Sequence, residues 1–160
     1  STSSDGLKWS TPTLISETGE SPSLTLDQKG SYSVVFEDAN SSGWNLHLMR
    51  SQDLKSWSNP KQVTHFKRAR WGHLVSQGSE YTLLFSSETQ LTSWEIFMSR
   101  SKSLESWDSP TQVTRNGMKN TSPWILPLKQ SKALLVWGLM DLSSLKPTLV
   151  MTQFDFSLTR

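Results

Sequence analysis

Three stretches of the chain share one alternation of apolar and polar positions. Ser21 to Phe36, Gly72 to Phe85 and Ser122 to Trp137 each read as a short strand, a polar turn and a second strand of high β-propensity. A longer match follows the first two. Residues 44–64 and 94–114 align without a gap at an offset of 50. This pairs Trp44 with Trp94, Arg50 with Arg100, Leu54 with Leu104, Trp57 with Trp107, Pro60 with Pro110 and Val63 with Val113. A gap-free match of this length marks an internal duplication. Residues 3–12 carry its later half once more, with Trp9 and Pro12 in the places of Trp57 and Pro60. Long amphipathic helices at a 3.6 period are not evident.

The repeat predicts four strands per unit. Strand A covers roughly 22–27, 72–77 and 122–128, and strand B roughly 31–37, 80–86 and 132–138. Strand C covers roughly 44–50, 94–100 and 147–153, and strand D roughly 11–16, 60–65 and 110–115. The units run roughly 17–64, 65–114 and 115–160, with residues 10–16 supplying the D strand that completes the last. Four strands in ~40–50 residues is the arithmetic of a propeller blade. The expected fold is all-β: one β-propeller domain over residues 1–160, with about three four-stranded blades, half of a six-bladed ring. A β-sandwich accounts for the strands but not for the repeat. Three blades are too few for a ring, which holds ~4–8. Two arrangements follow. Two chains exchange terminal strands as a two-fold homodimer, or the chain is half of a longer protein; the homodimer is the expectation.

Composition narrows the chemistry. The 160 residues (18.1 kDa) are 19% charged, below the ~25% of typical domains. There are 29 serines and eight tryptophans, which suits polar strand faces and short turns. The absence of cysteine excludes disulfides, thiolate zinc sites and cysteine nucleophiles. Sixteen basic and 14 acidic residues leave a net charge of +2 with no polybasic patch, so no nucleic-acid partner is expected. No run approaches the ~18 apolar residues of a membrane span. No signal peptide is visible, as in a processed mature chain.

The three C–D turns share a motif: Ser3, Asp5 and Trp9; Ser51, Asp53 and Trp57; Ser101, Ser103 and Trp107. An Asp or Ser at such a turn accepts backbone N–H bonds, and the Trp folds back over the hairpin. The motif resembles the Asp-box, or BNR repeat, of sialidase-like propellers. It also resembles the corresponding turn of arabinanase and fructosidase-like glycosidase propellers. The stretch from Ser21 to Phe36 is similar to strands A and B of sialidase-type blades, and the resemblance covers nearly the whole chain. The usual box is one residue longer between Ser and Trp, and Ser103 stands where Asp belongs. The resemblance implies a structural role for these turns. It places glycan and catalytic sites on the opposite face, around the axis that strand A lines.

On that face the D–A and B–C loops supply the candidates. Arg68, Arg70, Trp71 and His73 cluster beside Lys67, and Trp124 and Glu20 stand at the starts of other inner strands. Trp would stack on sugar C–H faces, Arg would grip an anionic group, and carboxylates would accept from hydroxyls. Glu37, Asp38 and Glu88 are the first carboxylates to consider for general acid–base work, with Asp141 on the same face. No spacing picks a pair. The tyrosine nucleophile implied by a sialidase finds no match, because Tyr32 and Tyr81 follow the A–B turn on the other face. His65 and His73 lack a third ligand at metal spacing, so no metal is expected. Trp44 and Trp94 recur at equivalent positions and read as packing. The leading function is glycan binding without catalysis. The alternative is a glycoside hydrolase of this superfamily, or half of one, and the last is a structural propeller fragment without ligand. No cofactor is implied. The resemblance suggests an extracellular or periplasmic protein.

Overall fold

A computed structural model of the chain describes residues 1–40, 43–90, 92–129 and 132–155. Those residues form strands and turns, with no helix. The first unit comprises β1 (Glu20–Leu26), β2 (Tyr32–Asn40), β3 (Gly43–Ser51) and β4 (Lys61–Gln62). The second comprises β5 (Ala69–Gln77), β6 (Glu80–Glu88), β7 (Trp94–Ser101) and β8 (Thr111–Gln112). The third comprises β9 (Lys119–Pro127), β10 (Lys132–Met140) and β11 (Pro147–Asp155). Neighbours within each unit pair antiparallel in chain order. A single parallel bridge, Trp94 with Lys119, links the second and third units into one seven-stranded sheet.

The A, B and C strands follow the predicted pattern, each inner strand starting a few residues earlier. The D strands differ more. β4 and β8 hold two residues each, and residues 11–16 form no strand. Pro60 and Pro110 immediately precede β4 and β8, and a proline cannot donate to a ladder, so it confines pairing to an edge. In the first copy no strand among the described residues lies beside Pro12–Ile15, so none of them draws that segment into a ladder.

The units stack face to face. One core cluster lies between the first and second, joining Val35, Leu46 and Leu48 to Leu74, Leu83 and Phe85. Phe85 stacks on Phe97 at 5.8 Å and meets Phe66 edge-on at 5.3 Å. Another cluster, between the second and third units, joins Leu84, Ile96 and Met98 to Ile125, Leu135 and Trp137. The middle unit is covered on both sides. β6 is therefore buried along nearly its whole length, while β10 alternates and β11 stays largely exposed.

The three Ser-x-Asp/Ser turns are built alike. Ser3 Oγ accepts from the Gly6 N–H at 2.8 Å, Ser51 Oγ from Leu54 at 2.8 Å, and Ser101 Oγ from Leu104 at 2.8 Å. Asp5 Oδ1 accepts from Leu7 and Lys8, and Asp53 Oδ1 from Lys55 and Ser56, all within 2.9 Å. Ser103 supplies only its hydroxyl, to Glu105 N–H at 3.2 Å. The residue after the Asp or Ser is left-handed in each: Gly6 at φ 73°, Leu54 at 60° and Leu104 at 65°. A left-handed leucine costs about 1–2 kcal/mol. At Leu104 that cost is offset, because the side chain is 1% exposed in the core and full burial is worth about 1.5–3 kcal/mol.

The backbone N–H groups of Ser56 and Lys55 hold the Asp53 carboxyl below its ordinary range, and those of Lys8 and Leu7 do the same at Asp5. A depressed folded pKa stabilises the fold above the unfolded value, and this is lost as pH falls through the folded one. Asp53→Asn keeps an acceptor but removes one titrating group. Its melting temperature is expected to fall less steeply than that of the parent between about pH 5 and about pH 2, as measured by circular dichroism. Equal slopes would show that this turn adds nothing to acid lability.

Candidate functional site

The end of the sheets opposite the Ser-x-Asp turns carries most of the predicted polar candidates. Its centre is Arg70 on β5. Arg70 Nε donates to Glu37 Oε2 at 2.5 Å, and Nη2 donates to Glu20 Oε2 at 3.1 Å. Glu37 Oε1 accepts the Trp71 backbone N–H at 2.7 Å. Glu37 has no exposed surface, and a carboxylate can be buried this way only when paired and hydrogen-bonded. The guanidinium lies 4.6 Å from the Trp44 ring and 5.3 Å from the Trp71 ring, where cation–π attraction adds to the ion pair. Trp71 in turn sits 5.1 Å from Trp94. The two tryptophans read as packing thus form the floor under Arg70 and Trp71.

The inner strands share a backbone distortion here. Ser21, Trp71 and Ser122 stand at matching positions with φ of 49°, 53° and 51°, beside irregularities in the strand register. Non-glycine residues in this region store about 1–3 kcal/mol each, and they cluster at functional places. Gly72, next to Trp71, has no room for a side chain, since a Cβ would lie 2.7 Å from Leu46 Cδ1.

Ser21, Trp71 and Ser122 line a cleft of about 230 Å³ together with His73 and Trp124. The His73 ring lies 4.2 Å from the Trp124 ring, and its Nδ1 accepts the Ile125 N–H at 2.9 Å. Burial pushes the His73 pKa down to about 4. The imidazole is therefore neutral at pH 7, and with Nδ1 accepting, its proton sits on Nε2 as a donor. Trp124 is 64% exposed. Among the described residues no carboxylate lines this cleft. Trp71 and Ser122 also border a cleft of about 360 Å³ beside Lys119, Met140 and Thr148.

The basic cluster read as a grip for an anionic group is divided. Arg70 is met by Glu37 and Glu20, His73 is neutral, and Arg68 lies 3.9 Å from Glu88. Asp38 Oδ2 accepts the Thr18 hydroxyl at 3.0 Å. Asp141 caps its own turn through Ser143 and Ser144. One buried carboxylate escaped the sequence reading. Glu95 accepts the Thr114 hydroxyl and the N–H groups of Asn116 and Gly117, and also receives Asn120 Nδ2 at 3.2 Å. The 50-residue offset pairs it with Asn45, which binds Thr64 and Phe66 in the same way. That alignment was the available signal.

No protein-family model matches the chain, and no curated protein sequence is detectably similar to it. Solved structures do match. The GH43 endo-arabinanase from Bacillus licheniformis superposes with a TM-score of 0.62 at 15% identity, covering 86% of this chain and 54% of that one. The Penicillium chrysogenum alpha-L-arabinanase, complexed with arabinobiose, gives 0.66 at 13%, covering 82% and 44%. The Trypanosoma rangeli sialidase, in complex with sialic acid, gives 0.64 at 11%, covering 89% and 29%. At these identities the likeness establishes the fold, the propeller of the arabinanase and sialidase type. The chain spans about half the length of these structures, or less.

Two outcomes are expected of this geometry. Glu37→Ala leaves the Arg70 guanidinium to Glu20 alone and the Trp71 N–H without its acceptor, and should destabilise the fold by about 3 kcal/mol in urea unfolding. A loss under about 0.5 kcal/mol, the level of a plain surface change, would show that the pair anchors nothing. A histidine pKa lowered on folding withdraws stability as pH falls from about 6.5 toward 4. The His73 ring resonances should accordingly stay in the neutral form down to about pH 5 by NMR; titration near 6.5 would contradict the buried, accepting Nδ1.

Proposed function

We propose that the chain acts on carbohydrate as part of a glycoside hydrolase of the propeller type, with the inner-strand cleft as its sugar-contacting surface. The cleft itself carries this reading. It sets two indoles, Trp71 and Trp124, beside the hydroxyls of Ser21 and Ser122 and the fixed Nε2–H donor of His73. An apolar platform flanked by a few directional polar groups suits a sugar, whose C–H face stacks while its hydroxyls hydrogen-bond. The structural neighbours support the same class, since they include arabinanases, xylosidases and a sialidase, alongside a beta-1,2-mannobiose phosphorylase.

Hydrolysis needs two carboxyl groups, ~5 Å apart for retention or ~6.5–9.5 Å for inversion. Glu37 is held by Arg70 and the Trp71 N–H without exposed surface, so it serves as an anchor. Asp38 and Glu88 remain as the carboxylates of this chain for proton transfer. Glycan binding without catalysis is the second reading, and a specific observation favours it: the cleft has no carboxylate among its described lining residues. Either activity belongs outside the cytoplasm, in an extracellular or periplasmic setting where polymeric glycans are met.

A panel of aryl glycosides and a glycan array on the same protein separate these readings. Turnover that falls at least ~100-fold in Asp38→Asn or Glu88→Gln supports hydrolysis. Array binding without turnover, weakened about 10-fold by Trp124→Ala, supports the second reading. Neither signal would overturn both and leave a structural fragment.

A further inference from the structure

The chain builds one kind of interface twice and leaves half of it bare at each side. Between the first and second units, Ser23 and Thr25 of β1 reach the backbone of Leu74 on β5. Between the second and third, His73 of β5 reaches the backbone of Ile125 on β9. Strand register equates Leu24, Leu74 and Ile125, which face Val34, Leu83 and Leu135. Leu74 and Ile125 are buried at 1% and 4%, whereas Leu24 is 62% exposed and Leu26 57%.

The opposite side repeats the contrast. Leu46 and Leu48 on β3, Ile96 and Met98 on β7, and Leu149 and Met151 on β11 hold matching register positions. The first four are buried at 4% or less by the unit that follows. Leu149 and Met151 are 82% and 66% exposed, beside Trp124 at 64% and Leu126 at 60%. The first unit thus displays an unused receiving face, and the third an unused covering face.

A spare segment accompanies them. The N-terminal Ser-x-Asp turn is fully formed, and Pro12–Ile15 follow it as Pro60–Val63 and Pro110–Val113 follow theirs. In those copies Val63 N–H donates to Leu46 C=O at 2.8 Å and Val113 N–H to Ile96 C=O at 2.7 Å. Residues 12–15 pair with no strand, and β11 has β10 as its sole neighbour among the described residues.

We propose that a second copy of this chain covers both faces, packing its first unit on the third unit of its partner and laying residues 12–15 along the partner's β11. Each copy carries the two complementary halves of a contact already made within the chain, which is why a second copy fits better than an unrelated protein. The contact is head-to-tail, and made twice it closes a two-fold ring of six units, inside the ~4–8 seen in propellers. It also pairs an open strand edge. This inference does not rest on the sugar chemistry, although the covered face includes Trp124, which also borders the inner-strand cleft.

Light scattering coupled to size exclusion is expected to give twice the 18.1 kDa mass of one chain. Leu24→Asp and Met151→Asp alter the two faces at exposed positions and should each yield folded monomers with unchanged circular dichroism. Mixed in equal amounts, they should reassociate, because each retains the half that the other has lost. A parent that stays at 18.1 kDa up to its solubility limit would overturn the proposal. So would a dimer that survives both substitutions, or a mixture that stays monomeric.

Discussion

Side chains that reach from one inner strand to the backbone of the next hold the units in place. Among the described residues, neighbouring units share no ladder beyond one parallel bridge, so their spacing rests on packing and a few directed bonds. Ser23 and Thr25 bind Leu74, and His73 binds Ile125. Tyr81 adds a bond to Asp27 at 2.7 Å near the other end, and burial with that carboxylate pushes its pKa up to about 12. Backbone groups left unpaired where the inner strands meet would cost about 1–3 kcal/mol each.

The Glu37–Arg70 pair follows from the same crowding. The first two units meet with a carboxylate already enclosed, so a cation had to come from the next inner strand. Arg70 meets that need with a planar group that also lies against two indoles. Its charge is then neutralised locally. The rim beside it presents rings, hydroxyls and a neutral imidazole, which favours stacking and hydrogen bonding over attraction to an anion.

Much of this was legible in the sequence because it is local. The strand pattern repeats at 50 residues, and the Ser-x-Asp turns satisfy themselves within seven, so Asp5 forms its bonds even where nothing packs on Trp9, 64% exposed. What depends on two units at once was hidden. Glu37 and Arg70 are 33 residues apart and on different sheets, and nothing in their spacing announces the pair. Arg68, two residues from Arg70, turns to Glu88 instead. Strand propensity likewise could not tell that residues 11–16 lack a neighbour. Glu95 looked like an ordinary strand residue until the loop folded over it.

Equivalent positions on the inner strands hold Ser23, His73 and Trp124: a hydroxyl, a neutral imidazole and an exposed indole. All three occupy one slot in the same local frame, and the bulge beside each is set by backbone rather than by the side chain in the slot. Chemistry at the rim is therefore modular. In the first two units the occupant also accepts a backbone N–H of the next inner strand, so an exchange leaves the spacing of the units unchanged only where the new side chain offers an acceptor at the same place.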